Sequence, residues 1–378
     1  MSNIACAKPI YAIAIDPIYI GTGGYTIGRV DNTIVRDPIT KIPKIPGSSL
    51  AGTWRYYVAL ELQSYFKDEY KKDLKKRAEK KDSIEELFNE PKDWMKNYSG
   101  NRFARIKCAG QDEEPQKNLD ESKSINTGHC GHCIVCKAFG YSKQAKKENS
   151  KIIKEGSWQG MLFFSDLNIL FFPVYTRLGV KWITSERILK ETPVGLHCNV
   201  PDREEQKIVF AQEKIEDGKE AGYINLGWLN LPYEVKNCDI NVRVIQKLPF
   251  KPKDIIIVPD SLISQIINSN LEVRTSVSID PITGAAKEKA LFTSEAIPRG
   301  TVFYGEICVF DKKGLGDNNL PSKECILEAL DDTKHYYETL GIGGMTTRGF
   351  GRMRVLSDLK DGECKGNQNG GSRDVSGK

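Results

Sequence analysis

Past a break at Pro46-Gly47, apolar side chains return every three to four residues, at Leu50, Trp54, Val58 and Leu62. That spacing predicts a helix with one buried face, running to about Tyr65. Elsewhere the period shortens. KPIYAIAID, Lys8 to Asp16, mixes alternation with β-branched residues and predicts a first strand, ended by Pro17. WQGMLFFSDLNILFF, Trp158 to Phe172, is almost continuously apolar around a central Ser165-Asp166 pair, which suits one buried strand or two joined at a bend. The strand pattern continues from Val174 to Trp182, and a short helix follows from Thr184 to Leu189. YINLGWLNL marks a hairpin inside an otherwise loop-rich Pro193 to Asn237 segment, Asp239 to Gln246 alternates, and Pro259-Asp260-Ser261 opens a helix through Ile267. From Glu272 to Gly300, Asp280-Pro281 and Thr283-Gly284 punctuate two extended arms and predict a long hairpin. Thr301 to Phe310 reads as a strand, Ser322 to Leu340 as a helix and Met353 to Leu356 as the last strand.

Alternating β and α segments, with strands near both ends, fit an α+β ferredoxin-like (RRM-like) core. Residues 1–66 hold its first part and residues 157–360 the remainder. Between them, residues 67–156 carry KKDLKKRAEKKD and many other charges, the mark of a solvated insertion. Residues 361–378 are rich in Gly, Asn and Ser and read as a disordered tail. At 378 residues the chain suits one elaborated domain or two, and no internal repeat is visible.

Composition narrows the function classes only a little. Hydrophobic residues at 39% supply a sizeable core, and a net charge of +5 makes the placement of positive charge more informative than its total. No apolar run approaches a membrane span, and MSNIACAKPIYAIAID lacks a signal-peptide pattern, so the expected setting is cytoplasmic with no membrane partner. Ten cysteines in such a setting argue against a disulfide framework. Three of them, Cys130, Cys133 and Cys136, form a C-x2-C-x2-C knuckle, whose thiolates converge on one tetrahedral centre. Gly140 stands where the bacterial iron-sulfur pattern needs a fourth cysteine. Zinc therefore fits better, with Cys108 as the expected fourth ligand and His129 and His132 as alternatives. Four protein ligands leave no position for water, which assigns the metal a folding role rather than that of a zinc hydrolase.

Two stretches carry anion-binding chemistry. The start of the Leu50 helix offers orphan amides, the hydroxyls of Ser48 and Ser49, and Arg55 one to two turns on. Near the other end, GIGGMTTRGFGR, Gly341 to Arg352, places five glycines between a helix end and the last strand. Backbone at Gly343 and Gly344 can approach a phosphate chain closely, Thr346 and Thr347 add donors, Arg348 and Arg352 add charge, and Phe350 offers a ring for a base. The Gly-Lys-Ser/Thr of a nucleotide-hydrolase loop is absent.

Taken together, the Gly21–Gly24 turn, VDNTIVRDP, IPKIPGSSLAG, GMLFFSDLNILFFPV, RTSVSIDPITGAAKEKALFTSEAIPRG and GIGGMTTRGFGR resemble the RAMP superfamily of CRISPR-associated proteins. More closely, they resemble the backbone subunit that repeats along the guide RNA in type III effector complexes. The resemblance implies a ferredoxin-like palm with a zinc-knuckle insertion and a projecting β-hairpin thumb at about 272–300. It implies that Asp31 cuts target RNA with a divalent ion, Mg2+ or Mn2+, leaving a cyclic phosphate, with Arg36 as a partner. Guide RNA and target RNA are then bound by Gly23, Gly24, Arg36, Ser48, Ser49, Arg55, the glycine loop, and Arg274, Lys287 and Lys289 of the thumb. The remaining partners are further copies of the chain, related RAMP subunits and other type III subunits. The family often has Lys where this chain has Ala51. Two other functions share the fold: a subunit that binds RNA without cutting, and a guide-processing endonuclease, which normally relies on a histidine. His129, His132, His197 and His335 all lie away from the two RNA signatures.

Overall fold

Strand β1 (Ala5–Ala14) alternates between buried and partly exposed positions over most of its length and is flanked on both sides. In this computed structural model the described residues are 5–23, 30–72, 84–96, 106–109, 129–142, 146–148, 151–153, 157–192, 196–197, 209–211, 221–235, 239–240, 247–312 and 319–360. Strand β10 (Val302–Phe310) pairs antiparallel with β1 from Ala5 opposite Phe310 to Ile13 opposite Val302, and β11 (Met353–Val355) pairs antiparallel on the other side. Strand β2 (Leu167–Thr176) adds antiparallel to β10. The order β2-β10-β1-β11 is thus antiparallel throughout. Helix α1 (Gly47–Ser64) lies in the connection from β1 to β2, and helix α4 (Lys323–Thr333) in that from β10 to β11. Beyond β2 the sheet continues through β3 (Gly179–Ser185), β7 (Ile255–Val258), β4 (Val209–Ala211), β6 (Leu229–Val235) and β5 (Ala221–Leu226). No described helix is long and apolar enough to cross a membrane.

The one-face pattern of α1 is realised. Leu50, Trp54, Val58 and Leu62 are all buried. Trp54 packs edge-on against Tyr337, with ring centres 5.3 Å apart, and its indole N–H is shared between the Leu330 carbonyl and the Thr333 hydroxyl. Tyr337 Oη donates to the Leu50 carbonyl at 3.0 Å, and Tyr57 Oη donates to the Gly341 carbonyl. Buried hydroxyls with fixed partners make such contacts specific as well as apolar. They bind the helix of the first signature to the loop of the second.

The long apolar segment opens with a two-residue strand, Trp158–Gln159, and continues as Leu162–Phe164 and β2, with Ser165-Asp166 as the bend between those two. Two expected elements differ. The Val174 to Trp182 strand is interrupted at Arg177-Leu178, because Gly179 takes φ +96°, and the chain turns back as β3, which runs into the short helix α2 (Glu186–Glu191). The Ser322 to Leu340 helix breaks after Thr333 and resumes as a short turn, Tyr336–Thr339. The predicted hairpin forms from β8 (Glu272–Ile279) and β9 (Ala286–Ala296), and Ile279, Ile282 and Leu291 along it are exposed. Most of residues 67–156, residues 241–246 and the tail 361–378 lie outside the described residues.

Gly47 has a steric duty. A β-carbon there would sit 2.4 Å from the Phe164 carbonyl oxygen, which is backbone and has nowhere to go. Gly47→Ala is therefore expected to cost about 1–3 kcal/mol in urea unfolding, with α1 displaced from the 164–166 bend. A midpoint equal to wild type would show that the bend yields instead.

Candidate RNA interface and thiolate centre

Asp31 is exposed on a loop that leans against the base of the hairpin. Its Oδ2 accepts the Thr293 amide at 2.7 Å and the Thr293 hydroxyl at 2.9 Å, while the Asp31 amide donates to Thr293 Oγ1 at 3.1 Å. Those bonds, led by the Thr293 amide, hold the carboxyl below its ordinary pKa. Neighbouring residues repeat the attachment. The Asn32 amide donates to the Thr293 carbonyl, and the Glu295 amide returns a bond to the Asn32 carbonyl.

Arg36 completes the joint. Its guanidinium pairs with Glu295 at 2.6 Å and donates to Asn268 of helix α3 (Asp260–Ser269) at 2.8 Å. Arg36 is thus a strut between loop, hairpin and helix, and its bonds among the described residues go to Glu295, Asn268 and the Ile34 carbonyl rather than to Asp31. A fixed planar fork suits that duty.

The glycine loop lies alongside. The Gly344 amide donates to the Tyr19 carbonyl at 3.0 Å and the Gly351 amide to Pro17 at 2.8 Å, so backbone pairing lays the loop on residues 17–20. Gly343 sits at φ +82°, and a β-carbon there would meet the Tyr19 oxygen at 2.3 Å. Only glycine allows that approach. From the other side, residues 20–22 meet residues 33–35 through Val35 N–H to Ile20 O and Thr22 N–H to Thr33 O, and Ile18 pairs with Ile297. Four segments distant in sequence thereby form one surface. Gly23 lies at its edge at φ +77°; Gly24 falls outside the described residues, as do the side chains of Lys287 and Lys289.

Most of the arginines singled out in the sequence are already engaged by the protein. Arg274 pairs with Glu272 at 2.6 Å, donates to the Gly349 carbonyl at 3.2 Å and covers the ring of Phe350 at 4.6 Å. Phe350 is buried, which removes the expected base-stacking face and makes the ring an anchor between hairpin and loop. Arg352 is held by both oxygens of Asp16, at 2.5 and 3.1 Å. Arg348 is exposed and makes no ion pair among the described residues; Thr347 is exposed beside it and Thr346 partly so. A separate cleft of about 810 Å³, bordered by Tyr175, Trp182, Arg299 and Arg354, contains none of the expected site residues.

The helix start differs from its sequence reading in an instructive way. Neither Ser48 nor Ser49 caps it; Pro46 occupies the N-cap, and the Gly47 amide donates to Asp166 Oδ1 at 2.8 Å. Lys44 pairs with Asp166 at 2.6 Å and lies 3.5 Å from Asp37. The protein's own carboxylate therefore occupies the first anion position, which leaves the exposed Ser48 hydroxyl at its rim. Burial pushes the Asp166 carboxyl up, but the Lys44 and Gly47 bonds outweigh it and the pKa lies below its ordinary value. A depressed native pKa gives stability that is present above the unfolded value of about 3.9 and lost as pH falls through the native one. Asp166→Asn is expected to remove this part of the acid transition. Because the side chain is 39% exposed, the cost at neutral pH is held to about 1 kcal/mol or less. Paired pH–stability curves check it, and parallel curves would mean that Asp166 contributes nothing.

Arg55 points elsewhere. Its Nε donates to the Cys108 carbonyl at 2.7 Å and Nη2 lies 3.1 Å from His129 Nδ1, so α1 presents it to the cysteines rather than to the Ser48–Ser49 rim. Cys108, Cys130, Cys133 and Cys136 are buried, and their sulfurs all lie within 4.8 Å of one another. The Cys130–Cys136 separation of 3.9 Å compares with about 3.8 Å between ligands of a tetrahedral zinc-thiolate site. Cys130 Sγ accepts the amides of His132 and Cys133, at 3.3 and 3.2 Å, and Cys108 Sγ accepts that of Cys130. Burial pushes the Cys130 and Cys133 thiols well up, while hydrogen bonds from the neighbouring thiols pull Cys108 and Cys136 down, and a cation at the centre would let all four ionise. His129 bonds to Cys136 and to Arg55, a supporting role rather than the alternative fourth ligand. No sequence signal announced Thr293, Lys44 or the Arg55–His129 contact.

A model of the RAMP superfamily matches residues 12–354. Over 36 residues the chain is 56% identical to the CRISPR system Cms endoribonuclease Csm3 of Methanothermobacter thermautotrophicus, covering 10% of this chain and 15% of that protein. Over 44 residues it is 48% identical to the protein of that name from Enterococcus italicus, covering 11% and 21%. These matches span only a small part of either relative's length. A chain of the Type III-B Cmr-beta assembly bound to cognate target RNA superposes with a TM-score of 0.50 at 15% identity, covering 93% of this chain and 98% of that one, a likeness of fold.

Proposed function

Because the chain belongs to the RAMP superfamily, we propose that it is a guide-RNA-binding backbone subunit of a type III CRISPR effector complex that also cuts complementary target RNA through Asp31. The antiparallel order β2-β10-β1-β11 with its two crossing helices is then the ferredoxin-like palm, and β8–β9 the thumb. The observation that carries the reading is an exposed carboxylate anchored by one oxygen to the base of the β8–β9 hairpin, beside the glycine loop. The names of the Csm3 relatives and the Cmr-beta fold support the same assignment.

RNA brings its own nucleophile, the 2′-hydroxyl, so the protein must hold the backbone in line and manage charge. Backbone contacts from the exposed loop Gly343–Gly349 and the Ser48 rim position a strand without reading its sequence. The apolar hairpin tip, with Ile279 and Ile282 exposed, separates the guide–target duplex at the cut site. A carboxyl kept below its ordinary pKa is a weak base at neutral pH, which favours Asp31 as a holder of a divalent ion over Asp31 as the proton acceptor. When bound there, Mg2+ or Mn2+ would supply charge stabilisation at the scissile phosphate. The four cysteines hold structural zinc, with no coordination position left for catalysis.

The test is cleavage of labelled complementary RNA by the complex assembled with guide RNA in Mg2+ or Mn2+. Regularly spaced cuts are expected. Target binding without any cut would make the chain a scaffold, and processing of guide precursor by the chain alone would favour the endonuclease reading.

A further inference from the structure

Thr293 is not a residue that motif or pattern picks out, yet among the described residues it makes every hydrogen bond of the Asp31 side chain. Its hydroxyl receives the Asp31 amide at 3.1 Å and donates to Asp31 Oδ2 at 2.9 Å, so one lone pair is occupied and the proton has one direction to point. Its amide adds a second bond to the same oxygen at 2.7 Å. The carboxylate rotor is thereby fixed: Oδ2 is anchored, and Oδ1 has no hydrogen-bond partner among the described residues. Thr293 itself is held in register opposite Thr275 on the other hairpin strand, and the flanking residues, Ser294 and Glu295, are joined to Asn32 and Arg36.

From this geometry we infer that Thr293 is the positioning residue for Asp31, making the hairpin strand part of the cutting apparatus rather than only a wedge between guide and target. The inference rests on the reading of Asp31 given above. It assigns the hairpin base a chemical duty: the carboxylate atom that faces RNA is set by the same strand that enters the duplex, so a hairpin out of place also turns the carboxylate away. A displacement of about 1 Å at a reacting group is enough to cost about 100-fold in rate.

The experiment compares Thr293→Val, which keeps shape and β-branching but removes both hydroxyl bonds, with Thr293→Ser, which keeps them, in the assembled complex. Single-turnover cleavage at saturating target, target affinity and the Mn2+ dependence are measured for each, with Asp31→Ala alongside. The expected result is a fall of about 10- to 100-fold in the saturated rate for Thr293→Val, unchanged target affinity, a higher half-saturating Mn2+ concentration, and recovery of most of the rate in Thr293→Ser. Should the valine variant fail to assemble, Thr293→Ala replaces it, with the same expectation. A wild-type rate and Mn2+ dependence in Thr293→Val, while Asp31→Ala is dead, would overturn the positioning role and leave Asp31 intact. Loss of target affinity with an unchanged saturated rate would overturn it too, by making Thr293 a binding residue. If Asp31→Ala itself cuts normally, the functional reading is what falls.

Discussion

Asp31→Ala is expected to abolish the regularly spaced cuts in complementary RNA, lowering the rate by at least about 10²- to 10⁴-fold, while guide binding and target binding stay at wild-type levels. The separation of the two effects follows from the surroundings of the residue. Its side chain bonds only Thr293 among the described residues, and the loop keeps its other attachments, Asn32 to the Thr293 and Ser294 positions and Arg36 to Glu295, when the carboxylate is removed. Truncation therefore subtracts a charge at the surface without opening a cavity in the core. Asp31→Asn sharpens the result, since it keeps size and one acceptor but loses the charge needed to hold a divalent ion. Cleavage by the asparagine variant at the wild-type rate would rule out a charge-dependent role, and persistent cuts in the alanine variant would move the nuclease to another subunit. Because the carboxyl lies below its ordinary pKa, the loss of activity toward acid that belongs to Asp31 should fall below about pH 3.9, well outside the neutral range.

The second large effect concerns the thiolates. Replacing Cys133 or Cys136 by serine is expected to lower bound zinc from about one equivalent per chain to near zero and to make residues 129–142 sensitive to protease. Four buried sulfurs within 4.8 Å of one another, two of them costly to ionise, are a poor arrangement without a cation. Metal binding and local folding are then one equilibrium, with structural zinc sites in small peptides worth about 10–16 kcal/mol. Arg55 carries the loss further. It ties α1 to the Cys108 carbonyl and to His129, so disorder at the cluster frees one side of the helix that carries Ser48 and Ser49 in its first turn. Weakened guide binding in the serine variants is the expected secondary sign. Elemental analysis and cobalt substitution check the site: a tetrahedral thiolate spectrum with no exchangeable water is expected, and an exchangeable water would make the centre open and catalytic.

Patterns with a strong local cause could be read directly from the chain. Alternation marked β1, one-face spacing marked the buried side of α1, and Asp280-Pro281 with Thr283-Gly284 marked the hairpin turn. The Cys130, Cys133 and Cys136 spacing drew attention to a cluster that the fold gathers with Cys108. Charged side chains were harder. Arg36, Arg55, Arg274 and Arg352 look alike as candidates for phosphate, but each has an acceptor within the protein, because a guanidinium carries five N–H donors and bonds the carboxylate or carbonyl that the fold sets beside it. Asp166 is the converse case. Its place in an apolar run marked no more than a bend between strands, whereas its partner is the start of a helix 119 residues away.

The chain's own order of residues determined its strands, its main helix, the hairpin and the family signatures, since these depend on periodicity and turn chemistry within a few residues. Tertiary structure decided which groups stay exposed and which brace the scaffold. Asp31 meets Thr293 across 262 positions, Tyr57 meets Gly341 across 284, and Asp16 meets Arg352 across 336. Hydrogen bonds and ion pairs act over a few ångströms, so their partners are fixed by where the sheet and its crossing helices carry the backbone, and spacing along the sequence holds no record of that distance.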